Sequence, residues 1–132
     1  MIKQEIEMSL KINVIKKKDY MYIVELRGPL DSDTHQALED ELGEVINENT
    51  KAVVLDMAGV DYISSIGIGL VMKTKKALES KMATFAMTNL QPQIKKVFDA
   101  MKILPIIDIF DDMPEADKYI DQIIKEEIEK KT

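Results

Sequence analysis

The sequence has no cysteine, a single histidine and no apolar run long enough to cross a bilayer. Without cysteine there can be no disulfide, thiolate metal site, iron–sulfur cluster or cysteine nucleophile, and the absence fits a reducing compartment. The lone histidine, His35, cannot build a multi-histidine metal site. It stands among Asp31, Ser32, Asp33 and Thr34 with no partner set for general-base work. A spanning helix needs about 20 apolar residues, and Met1-Ile2-Lys3-Gln4-Glu5 lacks the apolar stretch of a signal peptide. The expected location is the cytoplasm, with no membrane partner. Positive charge is also scarce: 18 Lys and Arg against 24 Asp and Glu leave a net charge of -6. Such a surface repels phosphate backbones, so nucleic acid is not an expected partner. Lys16-Lys17-Lys18 reads as a solvated hairpin tip, and Lys75-Lys76 and Lys95-Lys96 read as outer helix faces.

What is present suits one ordinary domain. The chain has 132 residues, 45% hydrophobic and 32% charged, enough to bury a core without covalent staples. Leu10, Ile12 and Val14 alternate as in a half-buried strand, and so do Tyr20, Tyr22, Val24 and Leu26. Lys16 to Asp19 forms the turn between them, and Gly28-Pro29 ends the second strand. Leu38, Leu42, Val45 and Ile46 make one apolar helix stripe, predicting a helix over 33–47 with Asp31, Ser32 or Asp33 as its N-cap. Ala52 to Asp56 is a nearly continuous apolar strand of the kind covered on both faces.

A second helix follows to Ser80, then an apolar strand over 82–87. A third helix opens at Pro92 with the stripe Ile94, Val97, Phe98 and Met101. Ile106 to Phe110 reads as an edge strand. The last helix starts at Asp111-Asp112 and carries Ala116, Ile120, Ile123, Ile124 and Ile128, with a fraying tail from Lys125. The order is β-β-α-β-α-β-α-β-α. This predicts an α/β fold, a single-domain mixed β-sheet with helices packed on it. Residues 1–9 are expected to form an arm, loose or docked through Ile2, Ile6 and Met8, and residues 10–132 the domain.

The stretch most able to carry function is Tyr62-Ile63-Ser64-Ser65-Ile66-Gly67-Ile68-Gly69-Leu70, where a buried strand turns into a helix. Such a junction gathers free backbone N–H groups and can present a hydroxyl or hold an anion. One of Ser64 and Ser65 is expected to cap the helix. The other is a candidate phosphorylation target, since a phosphoserine adds about -1.5 to -2 charge at a helix end that tolerates it. Gly67 and Gly69 each cost about 1 kcal/mol relative to alanine in a helix. Either tight packing on the sheet or a close external approach would account for them. Ile66-Gly67-Ile68-Gly69 is not a dinucleotide fingerprint, because position 72 is Met. There is no Walker motif and no nucleophile elbow either.

Two segments carry a family resemblance. Gly28-Pro29-Leu30-Asp31-Ser32-Asp33-Thr34 followed by Leu38 and Leu42 resembles the first signature of the STAS domain. Val53-Val54-Leu55-Asp56 and then Val60 through Leu70 resemble the second. The resemblance covers about Leu10 to Ile124, and the family includes bacterial anti-sigma factor antagonists. It implies a regulatory binding protein without cofactor or metal, not an enzyme. Its implied partners are a serine-protein-kinase anti-sigma factor and a phosphatase. Independently of the resemblance, the chain is expected to be a monomer or weak dimer. In such antagonists the kinase phosphorylates a serine of this loop, which often reads Asp-Ser-Ser-Gly or Asp-Ser-Ala-Gly. Here the acidic position is Ser64, and the residue before the glycine is Ile66, which cannot be phosphorylated. Ser65 is therefore the first phosphoacceptor candidate and Ser64 the second. Asp31, Tyr62, Ile66, Gly67, Ile68 and Gly69 are the partner-binding candidates, with Tyr62, Ile66 and Ile68 supplying exposed apolar contact. Two alternatives stay open. One is an unphosphorylated STAS scaffold or sensor in a signalling assembly. The other is a small enzyme or nucleotide-binding protein using the glycine-rich turn, although no base, nucleophile pair or metal cluster accompanies it.

Overall fold

The computed structural model describes residues 9–131. The expected arm, with Ile2, Ile6 and Met8, lies outside the described residues except for its last position, Ser9. Strands β1 (Lys11–Lys18) and β2 (Met21–Arg27) form the hairpin. Then come α1 (His35–Val45), β3 (Ala52–Gly59), α2 (Ser65–Ser80), β4 (Thr84–Thr88), α3 (Pro92–Ala100), β5 (Asp108–Phe110) and α4 (Met113–Lys131). The five strands lie in the order β1-β2-β3-β4-β5, antiparallel between β1 and β2 and parallel elsewhere. This is the mixed α/β sheet expected from the element order.

Right-handed crossovers that step in one direction across a sheet leave their helices on one face. Here α1, α2 and α3 share a core with Val24, Leu26, Val53, Leu55, Phe85 and Met87 from that face. The opposite face is covered by α4, whose Ala116 and Ile120 pack on Met21, Ile23, Ala52, Val54 and Ala86. Both neighbours in the runs Ile23-Val24 and Val53-Val54-Leu55 are therefore buried. Each such side chain contributes roughly 1.5–3 kcal/mol of burial. Of the alternating set, Tyr22, Val24 and Leu26 mark the α1–α3 face of β2, whereas Tyr20 precedes the strand and packs against the α4 cluster.

Several boundaries differ from expectation. Helix α1 starts at His35 because Asp31 caps a turn of its own: Asp31 Oδ1 accepts from Asp33 N at 2.9 Å and Thr34 N at 3.2 Å. The N-cap residue is Thr34, not Asp31, Ser32 or Asp33. Ile106 belongs to a 3-10 turn, Leu104–Ile106, with Pro105 in its middle, so β5 is confined to three residues at the sheet edge. Helix α4 continues to Lys131, where fraying was expected from Lys125. The lysine-rich hairpin tip is tied down: Lys17 pairs with Asp117, and Lys18 pairs with Asp121 at 2.9 Å. That bond to Asp121 raises the Lys18 pKa. None of the described helices is long and apolar enough to cross a membrane.

Candidate functional site at the carboxyl ends of the strands

Strands β2, β3 and β4 are parallel, so the loops leaving their carboxyl ends gather at one edge of the sheet, where open α/β sheets place their sites. The loop after β2 and the loop after β3 are stitched together by backbone. Gly28 N donates to Gly59 O at 2.9 Å, Leu30 N to Tyr62 O at 3.0 Å, and Ser64 N to Leu30 O at 2.9 Å. Leu30 and Ile63 form an isolated parallel bridge. The two signature segments thus meet in space.

Ser64 is the N-cap of α2. Its backbone is extended (φ -93°, ψ 173°), and its Oγ accepts from Gly67 N at 3.2 Å. Ser65, the first helical residue, is exposed, and its hydroxyl takes no hydrogen bond among the described residues. Of the two serines, the fold uses Ser64 and leaves Ser65 to solvent.

The two glycines also separate. A Cβ on Gly67 would lie 2.6 Å from Leu30 O and 2.9 Å from Ile63 Cγ1. Gly67 is needed because α2 starts against the Leu30 backbone, which is the tight-packing reading. Among the described residues a Cβ on Gly69 would meet nothing within 4 Å, so packing between them does not account for that glycine. The apolar candidates divide in the same way. Tyr62 is 56% exposed and Ile66 46%, but Ile68 is 5% exposed and belongs to the core. The expectation of exposed apolar contact at Ile68 is corrected: the residue falls one turn below Ser64 on the side that meets the sheet.

Asp31 sits beside this loop, half-buried. Its Oδ1 is committed to the turn, and Thr34 Oγ1, 3.2 Å from that oxygen, donates to Pro29 O at 2.8 Å. Asp31 Oδ2 takes no hydrogen bond among the described residues. A third loop completes the edge, and the sequence reading missed it. Asn89 Nδ2 donates to Asp56 Oδ1 at 3.1 Å, and Gln91 Nε2 to Ala58 O at 2.7 Å. Asn89 has φ 58°, a conformation asparagine tolerates better than most residues. Its place just after an apolar parallel strand was the available signal. His35 is half-buried at the start of α1, and no group of three metal-ligating side chains occurs among the described residues.

What this edge offers is a free hydroxyl at a helix N-terminus, flanked by Tyr62, Ile66 and an unfilled glycine. The comparisons agree with the two signatures. The family model for the STAS domain matches residues 11–116. BtrV of Bordetella bronchiseptica, described as a candidate anti-sigma factor antagonist, is 32% identical over 93 residues, covering 70% of this chain and 80% of BtrV. The anti-sigma-B factor antagonist of Staphylococcus epidermidis is 34% identical over 92 residues, covering 70% of this chain and 84% of its own length. Among solved structures, an anti-sigma factor antagonist from Mycobacterium paratuberculosis superimposes with a TM-score of 0.75 at 20% identity, covering 84% of this chain and 93% of that one. At such identity the likeness concerns the fold.

Proposed function

The chain belongs to the STAS domain family, and from that premise we propose that it acts as an anti-sigma factor antagonist. It is a regulatory binding protein rather than an enzyme. Its partner is a serine-protein-kinase anti-sigma factor, and the contact is made by the Ser64 to Gly69 turn, Tyr62 and the Asp31 loop. The kinase transfers the γ-phosphoryl group of ATP to Ser65: the Oγ–P bond forms, the bond to ADP breaks and the hydroxyl proton leaves. A phosphatase reverses the change. The observation that carries this reading is that, of the two serines, Ser65 is the exposed one and its hydroxyl takes no hydrogen bond among the described residues.

Phosphate at the first helical position is compatible with the fold, because the helix N-terminus favours negative charge. The added charge of about -1.5 to -2 must still be desolvated when a partner closes over Ile66 and Gly69. Phosphorylation therefore lowers affinity without unfolding the domain. The Asp31 carboxylate beside the loop gives the partner a second polar contact through Oδ2. Incubation with the cognate anti-sigma factor and ATP, followed by mass-spectrometric mapping, tests the switch. Phosphate on Ser65 is the expected result, and phosphate confined to residues other than Ser64 and Ser65 sinks the assignment.

Ile66 favours a second reading, a STAS scaffold or sensor module that is never phosphorylated, since a serine there would be a further acceptor. Partner binding that is the same for wild type, Ser65→Asp and Ser65→Ala would select it.

A further inference from the structure

On the same side of the molecule as the Ser65 turn, a groove of about 690 Å3 runs between α1 and α2. Its floor is apolar, made by the remaining exposed edges of Leu42 and Leu70 together with Ile46 and Ala77. Its rim is acidic. Helix α1 carries Glu39, Asp40, Glu41 and Glu44 and no lysine or arginine. Glu39 is balanced across the groove by Lys73 at 2.9 Å. Asp40 accepts only from the neutral amide of Gln36, at 2.9 Å, and Glu44 has no ion pair among the described residues. Two carboxylates therefore stand over an apolar floor without counter-charge.

Gly43 lies in this groove, inside α1, and a Cβ there would meet nothing within 4 Å. Glycine lowers helix stability relative to alanine, and no contact among the described residues accounts for it. An approach from outside does. The groove is also continuous with the proposed switch: Ile66, Leu70, Lys73 and Ala77 are spaced i, i+4, i+7, i+11 and form one stripe of α2, with exposed Ile66 at its Ser65 end.

We propose that the α1–α2 groove seats an amphipathic helix of the anti-sigma factor, its apolar side chains on the floor and its lysines or arginines against Asp40 and Glu44. The inference rests on the antagonist reading and extends the contact from the Ser65 turn along α2. A helix laid in an apolar groove is a recurrent recognition mode. The acidic rim of a chain with net charge -6 selects a basic occupant. A second copy of this chain, being equally acidic, is the poorer occupant.

The test is calorimetric titration of the purified cognate anti-sigma factor into the full chain as wild type, Gly43→Gln, the double variant Asp40→Lys/Glu44→Lys, and Ser65→Asp. Gly43→Gln fills the groove with a better helix former, so its melting temperature should rise while affinity falls by roughly tenfold or more. The charge reversal should weaken binding by a similar factor, most strongly at low salt. If both groove variants bind within twofold of wild type while Ser65→Asp binds weakly, the groove proposal is overturned and the antagonist reading stands. Weakening by the charge reversal alone also overturns it, since that outcome is long-range steering. Weakening by Gly43→Gln alone overturns the basic character of the occupant. Groove variants that change self-association in sedimentation, with anti-sigma affinity unchanged, overturn it in favour of a second copy. A wild-type chain that does not bind the anti-sigma factor overturns both proposals.

Discussion

Within one turn of α2, two sides of the chain behave differently. On the inner side, Ser64 accepts from Gly67 N, and Gly67 rests against the backbone of Leu30. On the outer side, Ser65 has no hydrogen-bond partner among the described residues, Ile66 is nearly half exposed, and Gly69 has open space where a Cβ would be. Residues of the same types thus do opposite things: one serine and one glycine build the turn, and one serine and one glycine are left facing outward. The inner pair is accounted for by the fold. The outer pair is unaccounted for until a partner is considered, and so the functional reading rests on it.

That contrast can be broken by substitution. The largest effect is expected at Gly67→Ala, whose new methyl would be pressed against a carbonyl that cannot step aside. Chemical denaturation should show a loss of about 1–3 kcal/mol. Unchanged stability would mean that Gly67 is not required by packing. Next is Ser64→Ala, which removes the N-cap acceptor and should cost about 1 kcal/mol. A cost at Ser65→Ala equal to that at Ser64→Ala would erase the distinction between the serines.

Gly69→Ala should move stability the other way, by up to about 1 kcal/mol in favour of the folded state, because the helix gains propensity and meets no clash. It should also weaken binding to the anti-sigma factor, and a destabilised Gly69→Ala would place the residue with Gly67 instead. The smallest stability effect is expected at Ser65→Ala, within about 0.5 kcal/mol. Incorporation of phosphate from ATP should nevertheless be lost in that variant. Persistent incorporation at wild-type level would move the acceptor elsewhere.

The other divided region is the sheet. Its α1–α3 face was legible in local periodicity, since Leu38, Leu42 and Val45 or Ile94 and Phe98 mark helices whose crossovers return them to that face. The burial of Met21 and Ile23 was not legible, because the element covering them is α4, some ninety residues further along the chain. The same holds for the lysine-rich tip. Its charges look solvated in sequence, and only the return of α4 brings Asp117 and Asp121 to Lys17 and Lys18. The loop at Asn89 to Gln91 carries no motif of its own, and it joins the site because β4 is parallel to β3 and ends at the same edge.

Sequence alone was enough for the order of elements, the strand-to-helix turn at Ser64 to Gly69 and the two signatures, because periodicity, breakers and caps act over a few neighbouring residues. It could not assign roles inside the turn. Helix starts are readable only to within a residue or two, and a shift of one residue turns a side chain by about 100° around the axis. Whether Ser64 or Ser65 faces solvent, and whether Ile66 or Ile68 enters the core, therefore depended on the phase of α2. That phase was set by the close approach of Gly67 to Leu30, a contact between the start of α2 and a loop residue 37 positions earlier in the chain.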